Sequence, residues 1–300
     1  MAQWSVHASP LQQYSQDPSV EQGVGMRVGF IGIGEMGIEI VKRLSEAGFD
    51  PFVLDRKGIH SQELAALGIR SSSSAIEISR ECDVVYICVL TDQQVNDVAL
   101  GEMGVIAEMH GGGRIIVHTT CSPLTLEAMA REGAMKGIQV IDAALSGGPR
   151  DIAVGRLTLF IGATAEELEF VRPLISSYAE VIVHAGQVGC GQRVKLVNNA
   201  LFTAHIGLAA DALRLGHDLG VTEEVLLAAL PHASGRSFAV EIMAASGSLE
   251  ISTAAVGRFV AKDVRVVQDV AGLMGSDLGV LGQVIDSPFI QEQIMSKNPS

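Results

Sequence analysis

From Met26 onward, short β-branched or apolar runs alternate with stretches whose apolar residues recur at helical spacing, the pattern of β-α-β units around a parallel sheet. The runs predict strands at Arg27 to Ile31, Pro51 to Leu54, Val84 to Val89, Arg114 to Val117, Gln139 to Ile141, Leu157 to Ile161 and Val181 to His184. Two helix starts are legible between them. Ser122 stands as a cap before Pro123, and Thr164 with Glu167 reads as a capping box. After His184 the strand pattern stops and the rest reads as helix, beginning with a long, small-residue-rich stretch from about Gly191 to Leu219. The expected fold class is α/β: an N-terminal domain on a mostly parallel sheet at 26–188, then an all-α domain at 189–300, both after a flexible leader at 1–25. So apolar a helix predicts burial against the other helices and against a partner chain, as a homodimer or homotetramer.

Length agrees with two domains, since 300 residues exceed what one ordinary domain takes. The chain is 48% hydrophobic but 4% aromatic, with 33 glycines, which suits aliphatic packing and tight turns. A formal net charge of -13 makes nucleic acid and anionic membranes poor partners. No apolar run reaches the roughly 18 residues of a membrane span, and the Gln- and Ser-rich start lacks a secretory pattern. Cys82, Cys88, Cys121 and Cys190 form no C-x-x-C pair, and the eight histidines form no H-E-x-x-H pair. A reducing cytoplasm and no metal are the corresponding expectations.

The segment R-V-G-F-I-G-I-G-E-M-G changes the picture. Gly32, Gly34 and Gly37 stand in G-x-G-x-x-G order after the first strand and at a helix start, a context that predicts dinucleotide binding. Gly32 allows the turn, Gly34 lets a pyrophosphate approach, Gly37 allows close helix packing, and Ile33, Glu35 and Met36 complete the loop. Asp55, at the end of the second strand, would accept from the adenosine ribose hydroxyls of NAD. Arg56 and Lys57 follow at once, and a guanidinium there would suit the 2'-phosphate of NADP. A carboxylate facing that phosphate costs Coulomb energy, so the balance favours NAD.

Two further constellations carry chemistry. In G-Q-V-G-C-G-Q-R-V-K-L-V-N-N, Lys195 and Asn199 share one helix face and could present an ammonium and an amide to one small ligand. A lysine whose pKa is lowered by burial serves as an acid/base; a solvated surface lysine is the other reading of the same spacing. In D-A-A-L-S-G-G-P-R, Ser146, Gly147 and Gly148 offer a hydroxyl and two open backbone N–H groups to a carboxylate, or form an ordinary turn.

Taken in order, G-F-I-G-I-G-E-M-G, T-T-C-S-P, D-A-A-L-S-G-G, G-x-G-x-x-x-K-x-x-x-N and K-D-V resemble the motifs of the β-hydroxyacid dehydrogenase family, the group of 3-hydroxyisobutyrate dehydrogenase and tartronate semialdehyde reductase. The resemblance spans Met26 to about Gly282. It implies a Rossmann domain, a helical domain and an active site between them, with NAD or NADP as cofactor and a small 3-hydroxy acid as substrate. It further implies Lys195 as catalytic acid/base and Asn199 with the Ser146 to Gly148 turn as substrate contacts. Thr120 would contact the nicotinamide side, Val89 and Leu90 would border the cofactor, and Lys262 would approach the nicotinamide or the substrate from the helical domain. The chain departs from the family at Asp151 and Ile152, where a small pair is usual, and at Arg156, where threonine is usual, so the substrate stays open. A C=N reductase on the same plan and a non-catalytic dinucleotide-binding module are the alternatives.

Overall fold

The computed structural model describes residues 25–297; residues 1–24 of the expected leader lie outside them. The strands are β1 (Val28–Ile31), β2 (Pro51–Leu54), β3 (Ser71–Ser72), β4 (Val84–Ile87), β5 (Arg114–Val117), β6 (Gln139–Ser146), β7 (Leu157–Gly162) and β8 (Ala179–Gly186). Among them lie helices α1 (Glu35–Glu46), α2 (Ser61–Ala66), α3 (Ala75–Glu81), α4 (Asp92–Ala99), α5 (Val105–Glu108), α6 (Pro123–Met135), α7 (Pro149–Ala153) and α8 (Ala165–Ile175). Then follow α9 (Cys190–Asp218), α10 (Glu223–Ala229), α11 (Phe238–Ser246), α12 (Leu249–Met274), α13 (Val280–Ile285) and α14 (Pro288–Gln293). The strands form one sheet in the order β3-β2-β1-β4-β5-β6-β7-β8, parallel except between β6 and β7. This is a Rossmann domain followed by a helical domain.

Apart from the Tyr86 hydroxyl, strands β1, β2 and β4 carry no polar side chain because both faces of the sheet are covered. Side chains alternate between two cores. Val28, Phe30, Val84, Tyr86 and Ile116 enter one, and Ile31, Val85, Ile87, Ile115 and Val117 enter the other. The helical domain buries a third core between α9, through Leu196, Ala200, Ile206 and Leu213, and α12, through Val260, Val264 and Val267.

Three expectations need correction. The sheet has an eighth strand, β3, a Ser-Ser pair with no apolar signature that joins only through its backbone ladder to Val53 and Leu54. Thr164 does cap α8 by accepting from the Glu167 N–H, but the Glu167 carboxylate turns to Arg114 at 2.8 Å instead of closing a capping box. Strand β6 does not stop at Ile141. It pairs with β5 from Gln139 to Asp142, then continues from Asp142 to Ser146 with β7 as its antiparallel partner.

That register positions the site. Asp142 faces Val117, the last residue of β5, so the rest of β6 stands above the carboxyl end of β5 by about 13 Å, at ~3.3 Å per residue. Gly162 of β7 pairs with both Asp142 and Gly186. The chain therefore leaves β8 level with the top of the sheet, and α9 starts there.

His118, one residue past β5, takes over where the ladder stops. Its Nδ1 lies 2.7 Å from the Ala143 carbonyl and its Nε2 3.0 Å from the Tyr178 hydroxyl. A carbonyl only accepts, so Nδ1 carries the hydrogen and Nε2 accepts from Tyr178. Burial lowers the pKa of this imidazole to about 4, so it stays neutral.

Candidate active site

The crevice between the β1 and β4 carboxyl ends is the point where the strand order reverses, the position at which open α/β sheets bind ligands. Gly32 turns there with φ +104, and a Cβ on it would lie 2.2 Å from the Cys88 carbonyl oxygen. Gly37 packs α1 so tightly that a Cβ would sit 2.0 Å from the Gly32 carbonyl oxygen. Above Gly34 the space is open, with nothing within 4 Å of an added Cβ. Gly34 is also the N-cap of α1 and supplies no side-chain cap, so the positive end of the α1 dipole faces the opening and suits an anion. Ile33 is buried beneath the loop. These residues fit a dinucleotide pyrophosphate.

Asp55 follows β2 as expected, but its carboxylate is already engaged. It accepts from Ile59 N at 3.1 Å, His60 N at 3.3 Å and Ser61 Oγ at 2.9 Å, capping the start of α2. Arg56 and Lys57 beside it are exposed.

Across the crevice, Val89 is tied down by Thr119, whose Oγ1 donates to the Val89 carbonyl and accepts from the Val89 N–H, each at 3.0 Å. Leu90 is exposed at the rim. Lys262 of α12 reaches from the helical domain, its Nζ donating to the Leu90 carbonyl at 3.1 Å and the Thr120 carbonyl at 3.5 Å. It also pairs with Asp263 Oδ1 at 3.1 Å. Asp263 Oδ2 in turn accepts from Asn199 Nδ2 at 2.7 Å. Lys195, one turn before Asn199, is partly buried beside the same carboxylate.

The electrostatics at Lys195 follow from that corner. Burial lowers its pKa most, the charge on Asp263 opposes this, and the ammonium of Lys262 lowers it further. Lysine at this helix position is therefore not the solvated surface residue of the alternative reading.

The third constellation is less open than its sequence suggests. Ser146 is the last residue of β6 and Gly147 turns with φ +125, but the Gly148 N–H donates to Asp151 Oδ2 at 2.8 Å. The two expected open amides are thus reduced to one, because Asp151 stands at the third position of α7 where its carboxylate reaches back to the N-cap. The hydrogen bonds of this turn are local, while Lys195, Asn199, Lys262, Val89, Leu90 and Thr120 are drawn into one connected corner.

Sequence reading missed Asp263 and Gln192. Asp263 lies inside K-D-V, and its only signal was a carboxylate adjacent to the lysine. Gln192 is fully buried in the first turn of α9, and its amide donates to the Thr119 carbonyl at 3.0 Å and accepts from Cys121 N at 3.2 Å. Arg236 is exposed, and Phe238, at the start of α11, packs its ring against Phe202 with centroids 5.9 Å apart. No helix among the described residues is long and apolar enough to cross a membrane, and among them no group of three or more His, Cys, Asp or Glu could hold a metal ion.

Known proteins share this plan. Residues 27–186 match the NAD binding domain of 6-phosphogluconate dehydrogenase, and residues 189–287 match the NAD-binding domain of NADP-dependent 3-hydroxyisobutyrate dehydrogenase. An L-threonate dehydrogenase of Cupriavidus necator is 32% identical over 215 residues, 71% of this chain and 72% of that protein. An NAD-dependent L-serine dehydrogenase of Pseudomonas aeruginosa is 30% identical over 253 residues, 82% of this chain and 85% of that protein. In three dimensions, a Mycobacterium tuberculosis 3-hydroxyisobutyrate dehydrogenase with L-serine superposes with a TM-score of 0.78 at 24% identity, covering 87% of this chain and 91% of that one.

Proposed function

The chain belongs to the β-hydroxyacid dehydrogenase family and is an NAD(P)-dependent oxidoreductase, and from that premise we propose that Lys195 is the general acid/base interconverting a small 3-hydroxy acid and its semialdehyde or β-keto acid. One observation carries the reading. A lysine with a burial-lowered pKa stands where Asn199, Asp263 and the cross-cleft Lys262 converge at the nucleotide crevice.

The nicotinamide of the cofactor, when bound, supplies the two-electron acceptor or donor. The chain supplies the rest. The Gly32 to Gly37 loop and the α1 N-terminus hold the pyrophosphate, while Val89, Leu90 and Thr120 border the ring. Lys195 removes the hydroxyl proton during oxidation and returns it during reduction. Its lowered pKa makes the neutral base accessible nearer neutrality than an ordinary lysine allows, and the charge of Lys262 works in the same direction. Asn199, with one amide hydrogen fixed on Asp263, keeps the other for the substrate. Ser146 and the Gly147 amide receive the carboxylate.

NAD remains the favoured cofactor. Asp55 accepts three local hydrogen bonds yet keeps one lone-pair site for a ribose hydroxyl, and a carboxylate at this place opposes a 2'-phosphate. The division of labour follows the chain: 26–188 for the nucleotide, 189–300 for substrate and assembly. On α9 Val194, Val197, Leu201, Leu208 and Leu215, with Leu219 at its C-cap, remain exposed at spacings that align them on one side of the helix, a face suited to a second copy of the chain. Light scattering at micromolar concentration tests that, and a monomer rejects it.

The relatives act on L-threonate and L-serine, so a screen of 3-hydroxyisobutyrate, glycerate, threonate and β-hydroxy amino acids with both cofactors defines the substrate. On the best substrate, Lys195→Ala lowers kcat by about 10² or more with cofactor affinity little changed. Near-normal turnover in that variant rejects the assignment.

A further inference from the structure

Helix α9 carries Lys195 in its second turn, yet it begins without a cap of its own. Its N-cap is Gly189, with φ +91 and no side chain to accept from the first-turn amides. The missing acceptor comes from the sheet. Asp142, fully buried on β6 where the strand passes from β5 to β7, accepts from the Gln192 N–H at 2.8 Å through Oδ2 and from Gln192 Nε2 at 3.2 Å through Oδ1. The Gly189 and Gly191 N–H groups also favour its charged form. Gly191 admits this approach, since a Cβ there would lie 2.9 Å from Asp142 Oδ2 and 2.4 Å from the Phe160 carbonyl oxygen.

The Gln192 side chain extends the contact to the opposite wall through the Thr119 carbonyl and the Cys121 N–H, on either side of Thr120. One carboxylate thus ties together a strand, the helix of the proposed acid/base and the loop that borders the nicotinamide side. A buried charge is expensive, and the Gln192 donors together with the positive end of the α9 dipole offset part of that cost.

We propose that Asp142 is a positioning residue which, through Gln192, fixes the start of α9 against the Thr119–Cys121 loop and thereby sets the placement of Lys195 in the cleft. This rests on the acid/base reading of Lys195, though its own geometry is independent of it. Burial pushes the Asp142 carboxyl up to about 7, opposed by the Gln192, Gly189 and Gly191 donors. In the loop after β5 it acts on the Cys121 thiol, itself pushed well up by burial and then by the charges of Asp92 and Asp142, with Lys262 opposing. Phe160 and Gly162 on β7 are neutral, and His118 is held neutral. A protonated Asp142 loses acceptor capacity toward the amides, so the clamp loosens as pH falls through about 7.

The test compares full-length wild type, Asp142→Asn, Gln192→Met and Lys195→Ala. In the reductive direction Lys195 is protonated on the acid side, so an acid limb near pH 7 there belongs to the clamp. Asp142→Asn is expected to lower kcat about tenfold or more, to leave the cofactor KM within about twofold, and to lose that limb. The pH midpoint for acetylation of Lys195, read by mass spectrometry, is expected to move up toward the ordinary lysine value. A variant that is only less heat-stable, with wild-type kcat, pH profile and acetylation midpoint, overturns the proposal. If Asp142→Asn does not fold, Gln192→Met, which keeps the carboxylate and severs its link to the loop, is read by the same measurements, and wild-type values again overturn it. An active Lys195→Ala rejects the acid/base reading alone, because the acetylation midpoint reports the clamp without turnover.

Discussion

The nucleotide crevice and the corner around Lys195 border the same cleft but are built from different materials. The crevice is main chain: glycines pressed against carbonyl oxygens, and a helix N-terminus with no side-chain cap. The corner is side chain: charges from α9 and α12 balanced against one another and against the ends of β4 and β5. A backbone site is insensitive to protonation but intolerant of a single added carbon. A side-chain site tolerates small changes of shape and responds to every change of charge.

The largest effect that probes this contrast is at Gly37. Its Cβ would sit 2.0 Å from the Gly32 carbonyl oxygen, so Gly37→Ala must displace the loop. We expect kcat/KM for the cofactor to fall by about 10², as for ångström-scale misplacement elsewhere, with the pH profile of turnover unchanged. A shifted profile would break the comparison. Lys262→Met should act the other way. It removes the charge that lowers the Lys195 pKa, so the pH at which oxidation turns on moves up, and kcat/KM at neutral pH falls about tenfold. A pH–rate series in both directions reads it, and an unmoved profile would place Lys262 outside the corner.

Asp55→Ala is expected to be milder, changing the ratio of kcat/KM for NAD and NADP by a few-fold in favour of NADP, since charge repulsion near the surface is screened. Steady-state kinetics with both cofactors measures it, and an unchanged ratio would leave the carboxylate with capping alone. His118→Phe serves as the scaffold control, with no expected change in kcat. It leaves the Tyr178 hydroxyl and the Ala143 carbonyl without partners, which costs about 1–3 kcal/mol, read by denaturant unfolding. The pH dependence follows from its folded pKa of about 4, below the ordinary value of 6.5. Between those values the unfolded chain binds the extra proton, so the wild type loses stability as pH falls and the variant lacks this contribution. Asp142 contributes with the opposite slope between its ordinary value of 3.8 and about 7.

The division into materials also explains what the sequence made legible. Continuous apolar runs mark strands buried on both faces, so seven strands were readable, while the Ser-Ser strand β3 has only backbone pairing to announce it. Glycines at fixed offsets betray a backbone site because nothing else fits. Lys195 and Asn199 share a local helical spacing, but Asp263 and Lys262 reach them only through the packing of α12 on α9 and against the sheet. The occupancy of Gly148 by Asp151 and of Asp55 by the α2 start is a matter of side-chain direction, which residue identity does not encode.

Strand β6 climbs past β5 and is braced by β7 on its far side. One flank of the cleft is therefore a parapet of laddered main chain that side-chain motion cannot lower. The other rim is spanned by side chain alone, the long arm of Lys262 laid across the Leu90 and Thr120 carbonyls. Opening there needs the loss of two hydrogen bonds and no unravelling of the sheet.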